Sequence, residues 1–159
     1  DVGVEFHSLS KSYNMTGWRL GMAVGNPEII EALHTIKSNM DSGVPQAIQQ
    51  MGIAAMDIPD SELTDRNAIY QRRRDLVVGA LRALGLTVEH PRASLYVWAG
   101  VPEGFTSAGF SERLLEETDV LVSPGTSYGK WGESYVRLSL TLSDDQLEKA
   151  VDRLSSWSM

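Results

Sequence analysis

The first part of the chain is organised around residues 8–21, which read Ser8-Leu9-Ser10-Lys11-Ser12-Tyr13-Asn14-Met15-Thr16-Gly17-Trp18-Arg19-Leu20-Gly21. Alternating side chains lead into this stretch from Val2 to Leu9, and a second short apolar run covers Leu20 to Val24. Both runs are typical of β-strands, and Thr16-Gly17 indicates a turn between them. The sequence therefore predicts two short strands, with Lys11 in the segment that joins them.

Helices are predicted next. Asn26-Pro27-Glu28 is a strong helix start, with a capping side chain, a proline at the first helical position and an acid in the first turn. The spacing of Ile29, Ile30, Leu33 and Ile36 gives this helix an apolar side. A second helix is expected from Pro45 to about Met56. A long third helix runs from Ser61 to Leu84, where Gly85 provides a C-terminal cap.

The pattern changes after residue 85. Four short runs are strand-like: Leu86 to Glu89, Leu95 to Ala99, Val120 to Val122 and Tyr135 to Leu140. Helices are predicted near Ser107 to Glu117 and from a capping box at Ser143 to about Trp157. Helices followed by mixed units predict an α/β to α+β fold, with a domain boundary between Pro27 and Leu84.

Composition narrows the possible functions. The 159-residue chain has a net charge of −7, and its dense basic run, Arg72 to Arg74, is interpreted as a solvated helix face, so nucleic-acid binding is not expected. No apolar run reaches the roughly 20 residues needed to span a bilayer, so no membrane partner is expected. The absence of cysteine fits a reducing compartment, and we expect a cytoplasmic protein. Three scattered histidines predict no metal site.

The serines around Lys11 suggest a phosphate ligand. Ser8, Ser10 and Ser12 flank the lysine, and Arg19 follows eight positions later, so hydroxyls and a cation are available to a phosphate ester. The lysine amine could attack a carbonyl if burial or nearby cations lowered its pKa. From these residues alone, a solvated serine-rich loop remains the more common explanation.

A family resemblance favours the chemical interpretation. Ser8-Leu9-Ser10-Lys11 followed by Gly17-Trp18-Arg19-Leu20-Gly21 resembles the pyridoxal-phosphate attachment signature of class I/II, fold-type I aminotransferases, which include the aspartate, alanine and LL-diaminopimelate enzymes. The run from Arg72 to Leu76 resembles the family's long interdomain helix. Two later blocks, Ser123 to Gly129 and Tyr135 to Leu140, resemble its C-terminal part.

The resemblance implies a role for each candidate residue. Lys11 would form the Schiff base with pyridoxal 5'-phosphate and later act as the base that moves the substrate proton. Ser8, Ser10 and Arg19 would bind the cofactor, with Ser8 and Arg19 on its phosphate. Arg137 would bind the substrate carboxylate, although strand alternation also permits an arginine that points to water. Tyr128 would line the substrate pocket or serve as a packing anchor, and Trp18, Trp98 and Trp131 are assigned to packing.

The resemblance also implies an organisation. Residues 1–26 would be the end of the large cofactor-binding domain, residues 27–84 connecting helices, and residues 85–159 the small C-terminal domain. The expected function is amino-group transfer between an amino acid and a 2-oxo acid, in a full-length homodimer. Because the chain begins at Asp1 and the family is longer, we expect an inactive C-terminal fragment. The alternatives are a β-eliminating carbon–sulfur lyase of the same fold and a non-catalytic dimerisation or ligand-binding domain.

Overall fold

The computed structural model describes residues 2–159, so Asp1, the first residue of the predicted large-domain segment, lies outside the description. The chain divides into two compact units, Asp1–Asp65 and Arg66–Met159. Each unit contains its own cluster of buried apolar side chains. Both units combine helices with antiparallel strands.

The first unit is built on a two-stranded hairpin. Strand β1 (Val4–Ser8) pairs antiparallel with β2 (Gly21–Gly25), so that Ser8 lies opposite Gly21. A side chain at Gly21 would place its Cβ 2.7 Å from the carbonyl oxygen of His7, so this pairing requires glycine. The two predicted strands are confirmed, and a single helical turn, α1 (Leu9–Ser12), follows β1 directly.

Two helices complete the first unit. Helix α2 (Pro27–Met40) begins as predicted, because the Asn26 side chain accepts hydrogen bonds from the amides of Glu28 and Ile29 at 3.0 and 3.1 Å. Its apolar side is only partly covered by the described residues: Ile30 and Leu33 are half-buried, whereas Ile29 and Ile36 are 47% and 60% exposed. Helix α3 (Gln46–Met56) instead buries Gly52 and Ala55.

The long helix α4 (Asp60–Ala83) begins in the first unit and continues into the second, and Gly85 follows it at φ 83°. The other elements of the second unit are β3 (Tyr96–Gly100), α5 (Ser107–Thr118), β4 (Ser123–Pro124), β5 (Tyr135–Ser139) and α6 (Asp144–Ser156). Across residues 2–159, no helix is both long enough and apolar enough to cross a membrane.

The core of the second unit covers one face of its sheet. The strands lie in the order β3-β5-β4 and are antiparallel. Alternate side chains point to opposite faces of a strand, and here Val97, Ala99, Val136 and Leu138 are all buried. They belong to one apolar cluster with residues of the three helices, including Leu81, Phe110, Leu114, Leu147 and Leu154. The opposite face carries Tyr96, Trp98, Tyr135 and Arg137.

Two predicted strands are wrong. Residues 86–89 and 120–122 have no strand ladder, although their apolar side chains alternate in burial as a strand's would. Near the first, the carbonyl of Thr87 accepts one hydrogen bond from Gly100 at 2.8 Å. After the second, pairing with β5 is confined to Ser123 and Pro124. Alternating burial therefore arises without the repeated hydrogen bonds that define a strand.

The arginine run is not a solvated helix face. The side chains of Arg73 and Arg74 are only 15% and 17% exposed. Arg73 donates to the Asp144 carboxylate at 2.6 Å and to the Leu140 carbonyl at 3.1 Å, and Arg72 also pairs with Asp144. Ser143 makes no side-chain capping bond, so the predicted capping box does not form. The Asp144 carboxylate joins α6 to α4 instead.

We expect core truncation at Leu140 to destabilise the second unit strongly. Leu140 is 1% exposed, whereas Leu142, two residues later, is 46% exposed. Leu140→Ala should lower the free energy of unfolding by about 2–5 kcal/mol, because it removes buried methyl groups and leaves a cavity. Urea unfolding followed by circular dichroism measures the loss. Leu142→Ala is the matched control, and equal losses in the two variants would contradict the assigned core.

Candidate cofactor and substrate sites

Lys11 lies on the exposed side of a short helical turn whose other side is anchored. Leu9 is 3% exposed and forms a buried cluster with Met15 and Ala55. The Ser8 hydroxyl oxygen accepts a hydrogen bond from the amide of Ser10 at 3.2 Å and so begins the turn. The Lys11 side chain is exposed, and its amine makes no hydrogen bond or ion pair with any residue from 2 to 159. The amine is therefore accessible and unpaired within the described residues.

Arg19 is held beside the same turn. The amide of Leu9 donates to the carbonyl of Leu20 at 3.1 Å, which brings the end of the joining segment back to its start. Arg19 adopts a left-handed conformation at φ 54°, and its guanidinium donates to the carbonyl of Thr16 at 2.9 Å. The Thr16 hydroxyl in turn donates to the carbonyl of Ser10 at 2.9 Å. Ser10 and Arg19 are therefore both hydrogen-bonded to Thr16.

Helix α3 packs closely under this turn. A Cβ atom at Gly52 would collide with the side chain of Leu20 and lie 3.3 Å from a methyl carbon of Leu9. The missing side chain therefore allows the helix to approach the residues on either side of the lysine segment. Serine hydroxyls, exposed arginine donors and a free lysine amine occupy the surface above. This donor set fits a phosphate ester that also carries a carbonyl group.

Arg137, on β5, forms the second candidate site. Its guanidinium carbon lies 4.0 Å from the ring centre of Tyr96 and 4.0 Å from that of Tyr128. The Nε atom is buried and has no hydrogen-bond partner. Strand alternation alone permits an arginine that points freely to water, but this guanidinium lies against two aromatic rings. An arginine without an acceptor of its own is suited to binding an external anion.

The loop that carries Tyr128 is braced at its base. The backbones of Gly125 and Gly132 approach so closely that a Cβ on either one would collide with the other residue. The Glu133 carboxylate accepts hydrogen bonds from the amides of Ser107 at 2.7 Å and Ser134 at 3.3 Å. The Ser107 amide, followed by the Ser134 amide, holds the pKa of Glu133 below its usual value. Glu133 therefore links the loop to the start of α5.

Two contributors to the arginine site were not predicted. Tyr96 was not singled out, and Trp98 was assigned to general packing. Trp98 lies opposite Arg137 in the β3–β5 pair and makes an edge contact with Tyr128 at 5.5 Å. The signal was present in the sequence, because Tyr96 and Trp98 alternate with the buried Val97 and Ala99 and so share a face with Arg137. The packing assignment of Trp131 is wrong, because that side chain is 86% exposed.

A cavity of about 320 Å³ lies beside this face. It is lined by Glu89, Pro91, Ala93, Ser94, Tyr96, Trp98 and Arg137. Its wall is largely apolar, and its charged side chains are Arg137 and Glu89. Such a wall suits an organic ligand whose carboxylate is bound by the arginine and whose remainder contacts aromatic rings.

Comparison with known proteins identifies the family. Residues 2–154 match the model of the aminotransferase class I and II family, and the chain belongs to that family. The predicted resemblance and fold class are thereby confirmed. Among solved structures, an aminotransferase from Staphylococcus aureus has a TM-score of 0.88 at 38% identity, covering 96% of this chain and 40% of that one. A probable N-succinyldiaminopimelate aminotransferase from Thermus thermophilus has a TM-score of 0.88 at 34% identity, covering 96% and 41%.

Two curated relatives that match the chain share one enzyme name. An LL-diaminopimelate aminotransferase from Dehalococcoides mccartyi is 59% identical over 157 residues, which cover 99% of this chain and 40% of the relative. The enzyme of the same name from Moorella thermoacetica is 51% identical over 97% of this chain and 40% of its own length. The chain thus spans about 40% of the length of the curated relatives that it matches.

Acid should weaken the brace at Glu133. Because the folded-state pKa is lowered from a usual value of 4.5, the ionised carboxylate stabilises the fold above that pH. This contribution is lost as the pH falls through the lowered pKa. Between neutral pH and about pH 3, we expect the Tm of Glu133→Gln to fall less than that of the unmodified protein.

The matched control is Glu148→Gln, which changes an exposed glutamate of α6. Its Tm should follow the same pH profile as the unmodified protein. A Glu133→Gln profile that also superimposes on the unmodified one would show that Glu133 does not brace the loop.

Proposed function

We propose that this chain supplies the cofactor lysine and the substrate arginine of an aminotransferase that moves an amino group between an amino acid and a 2-oxo acid. The unpartnered guanidinium of Arg137, with its buried Nε, is the observation that carries the proposal. Family membership and the free amine of Lys11 support it. Because the closely similar relatives are named for it, we infer that LL-diaminopimelate is the amino-acid substrate.

Enzymes of this family use pyridoxal 5'-phosphate, which stabilises negative charge at the substrate Cα when it is bound. The Lys11 amine would hold this cofactor covalently and, when released from it, would accept and return the proton at Cα. The hydroxyls of Ser8 and Ser10 and the exposed donors of Arg19 would bind the phosphate.

The arginine site is proposed to bind the α-carboxylate of the substrate. Arg137 binds the α-carboxylate through charge-assisted hydrogen bonds, and its planar fork suits the two oxygens. Tyr128, whose ring centre lies 4.0 Å from the guanidinium carbon, would border the bound substrate. The carboxylate stays bound there before and during proton removal, so the contact contributes mainly to substrate affinity.

The predicted organisation supports a larger assembly. We propose that residues 1–26 belong to the large cofactor domain, residues 27–84 to connecting helices and residues 85–159 to the small domain. The exposed isoleucines of α2 are the kind of apolar surface that further protein covers, which supports a homodimeric full-length enzyme.

A cytoplasmic location is proposed from the lack of cysteine. By itself, this chain is proposed to be inactive.

Removing Lys11 tests the cofactor site. In the full-length protein, Lys11→Ala should abolish the visible absorption band that forms when pyridoxal phosphate is added. Borohydride trapping followed by mass spectrometry should attach the cofactor to the peptide that contains Lys11 and to no peptide of the variant. Lys149→Ala, which changes an exposed lysine of α6, should behave as the unmodified protein does. An undiminished band in Lys11→Ala would remove this lysine from the mechanism.

Removing Arg137 tests the substrate site. Arg137→Ala should weaken amino-acid binding by about 1.5–3 kcal/mol, or roughly ten- to a hundredfold, because hydrogen bonds to a charged group are lost. Titration of the cofactor band with LL-diaminopimelate gives the dissociation constant. Arg153→Ala, on α6, is the control for loss of an arginine elsewhere in the same unit. Unchanged affinity in Arg137→Ala would exclude the proposed carboxylate contact.

A further inference from the structure

The orientation of Arg137 is set without hydrogen bonds. Among residues 2–159, no acceptor binds its guanidinium, and the two contacts that its charged group makes are with the rings of Tyr96 and Tyr128. Each ring centre is 4.0 Å from the guanidinium carbon, which is within the range of cation–π attraction. The two tyrosine rings make no ring contact with each other within the described chain, so each contacts the guanidinium separately.

The two rings come from independent elements. Tyr96 is on β3, two residues before Trp98, which is paired with Arg137, so Tyr96 is a diagonal neighbour on the same sheet face. Tyr128 comes from the loop after β4 and is held by its edge contact with Trp98. Trp98 also contacts Tyr135 in an edge arrangement at 6.4 Å. A sheet residue and a braced loop residue thus confine the guanidinium between them.

We propose that Tyr96 and Tyr128 are positioning residues that confine Arg137 so that only the outer edge of its guanidinium, between Nη1 and Nη2, receives a ligand. The inference rests on the proposed carboxylate-binding role of Arg137. In the proposed arrangement the rings cover the two faces, and the buried Nε cannot be reached from solvent. The edge that remains presents two parallel N–H donors in one plane.

This geometry selects by ligand shape. A carboxylate is planar, so both of its oxygens can meet the guanidinium edge within the plane between the rings. A sulfonate carries the same single charge but is tetrahedral, and its third oxygen projects out of that plane toward a ring. The site therefore prefers a carboxylate to a sulfonate of equal charge and similar size.

The rings, and not the phenol groups, supply this effect. Neither the Tyr96 nor the Tyr128 hydroxyl makes a hydrogen bond to the described residues. Phenylalanine should therefore replace either tyrosine, whereas leucine should not. Tyr70 offers a matched control, because its ring lies 5.6 Å from the guanidinium carbon of Arg73 on α4.

The experiment measures binding of propionate and ethanesulfonate to the full-length protein by NMR titration. The unmodified protein should bind propionate at least about fivefold more tightly than ethanesulfonate. Tyr96→Leu should weaken propionate binding by about three- to tenfold, the size expected when binding must first order a released arginine side chain, and reduce the preference to about twofold or less. Tyr96→Phe and Tyr70→Leu should bind propionate within about twofold of the unmodified protein.

Steady-state kinetics gives a second readout. The carboxylate contact is the same in the ground state and the transition state, so Tyr96→Leu should raise KM for the amino acid and leave kcat within about twofold. A general structural defect would lower kcat as well. Tyr128→Leu changes a side chain that is 47% exposed, so it should fold even if Tyr96→Leu does not, and it should show the same loss of carboxylate preference.

The outcomes separate this inference from the proposed function. If Arg137→Ala weakens propionate binding but Tyr96→Leu and Tyr128→Leu do not, the positioning role is wrong and the carboxylate contact remains. If Arg137→Ala leaves propionate binding unchanged, both are wrong. Tyr96→Phe that binds as weakly as Tyr96→Leu would also overturn the positioning role, because it would assign the effect to the hydroxyl.

Discussion

The antiparallel pairing of β3 with β5 is the constraint on which the second unit depends. It places Val97, Ala99, Val136 and Leu138 on one face, where they are buried against the helices. Period-two alternation then leaves no choice about the other face: Tyr96, Trp98 and Arg137 must share it. A slip of β5 by one residue would reverse its two faces, burying Arg137 and exposing Val136 and Leu138. The burial of the core face therefore also determines the composition of the candidate substrate site.

The hairpin of the first unit likewise determines which way Lys11 faces. Its register brings Leu20 back to Leu9, and the burial of Leu9 directs the opposite side of the α1 turn toward solvent. Lys11 lies on a turn whose position is set by packing, and its side chain makes no hydrogen bond or ion pair with the described residues. In both units, buried apolar residues next to the candidate functional residue hold the backbone in place. The charged groups of Lys11 and Arg137 themselves have no hydrogen-bond partner among the described residues.

Much of this was predictable from the sequence because it depends on local signals. The caps at Asn26 and Gly85, the long helix α4 and the strands β1, β2, β3 and β5 follow from residue type and spacing. The failures concern interactions between distant residues. Apolar side chains alternate along residues 86–89 and 120–122 as they do in strands. A strand ladder also needs a neighbouring strand to pair with, and the spacing of residues in the sequence does not show whether one is there. The binding of Asp144 by Arg72 and Arg73 joins positions more than 70 residues apart, and no local pattern indicates it.

At the arginine site, too, the sequence indicated the local part and did not indicate the contacts between distant residues. The block around Arg137 was recognisable, but the aromatic rings around its guanidinium come from β3 and from the loop at Tyr128. Their use has a physical advantage over an ion pair. A carboxylate of the protein would stabilise the buried part of the guanidinium, but it would occupy the same N–H donors that a substrate carboxylate needs. Aromatic rings stabilise the cation through its faces, so its edge stays available to an anion. An arginine that must be both ordered and unpaired is therefore better held by tyrosines than by acids.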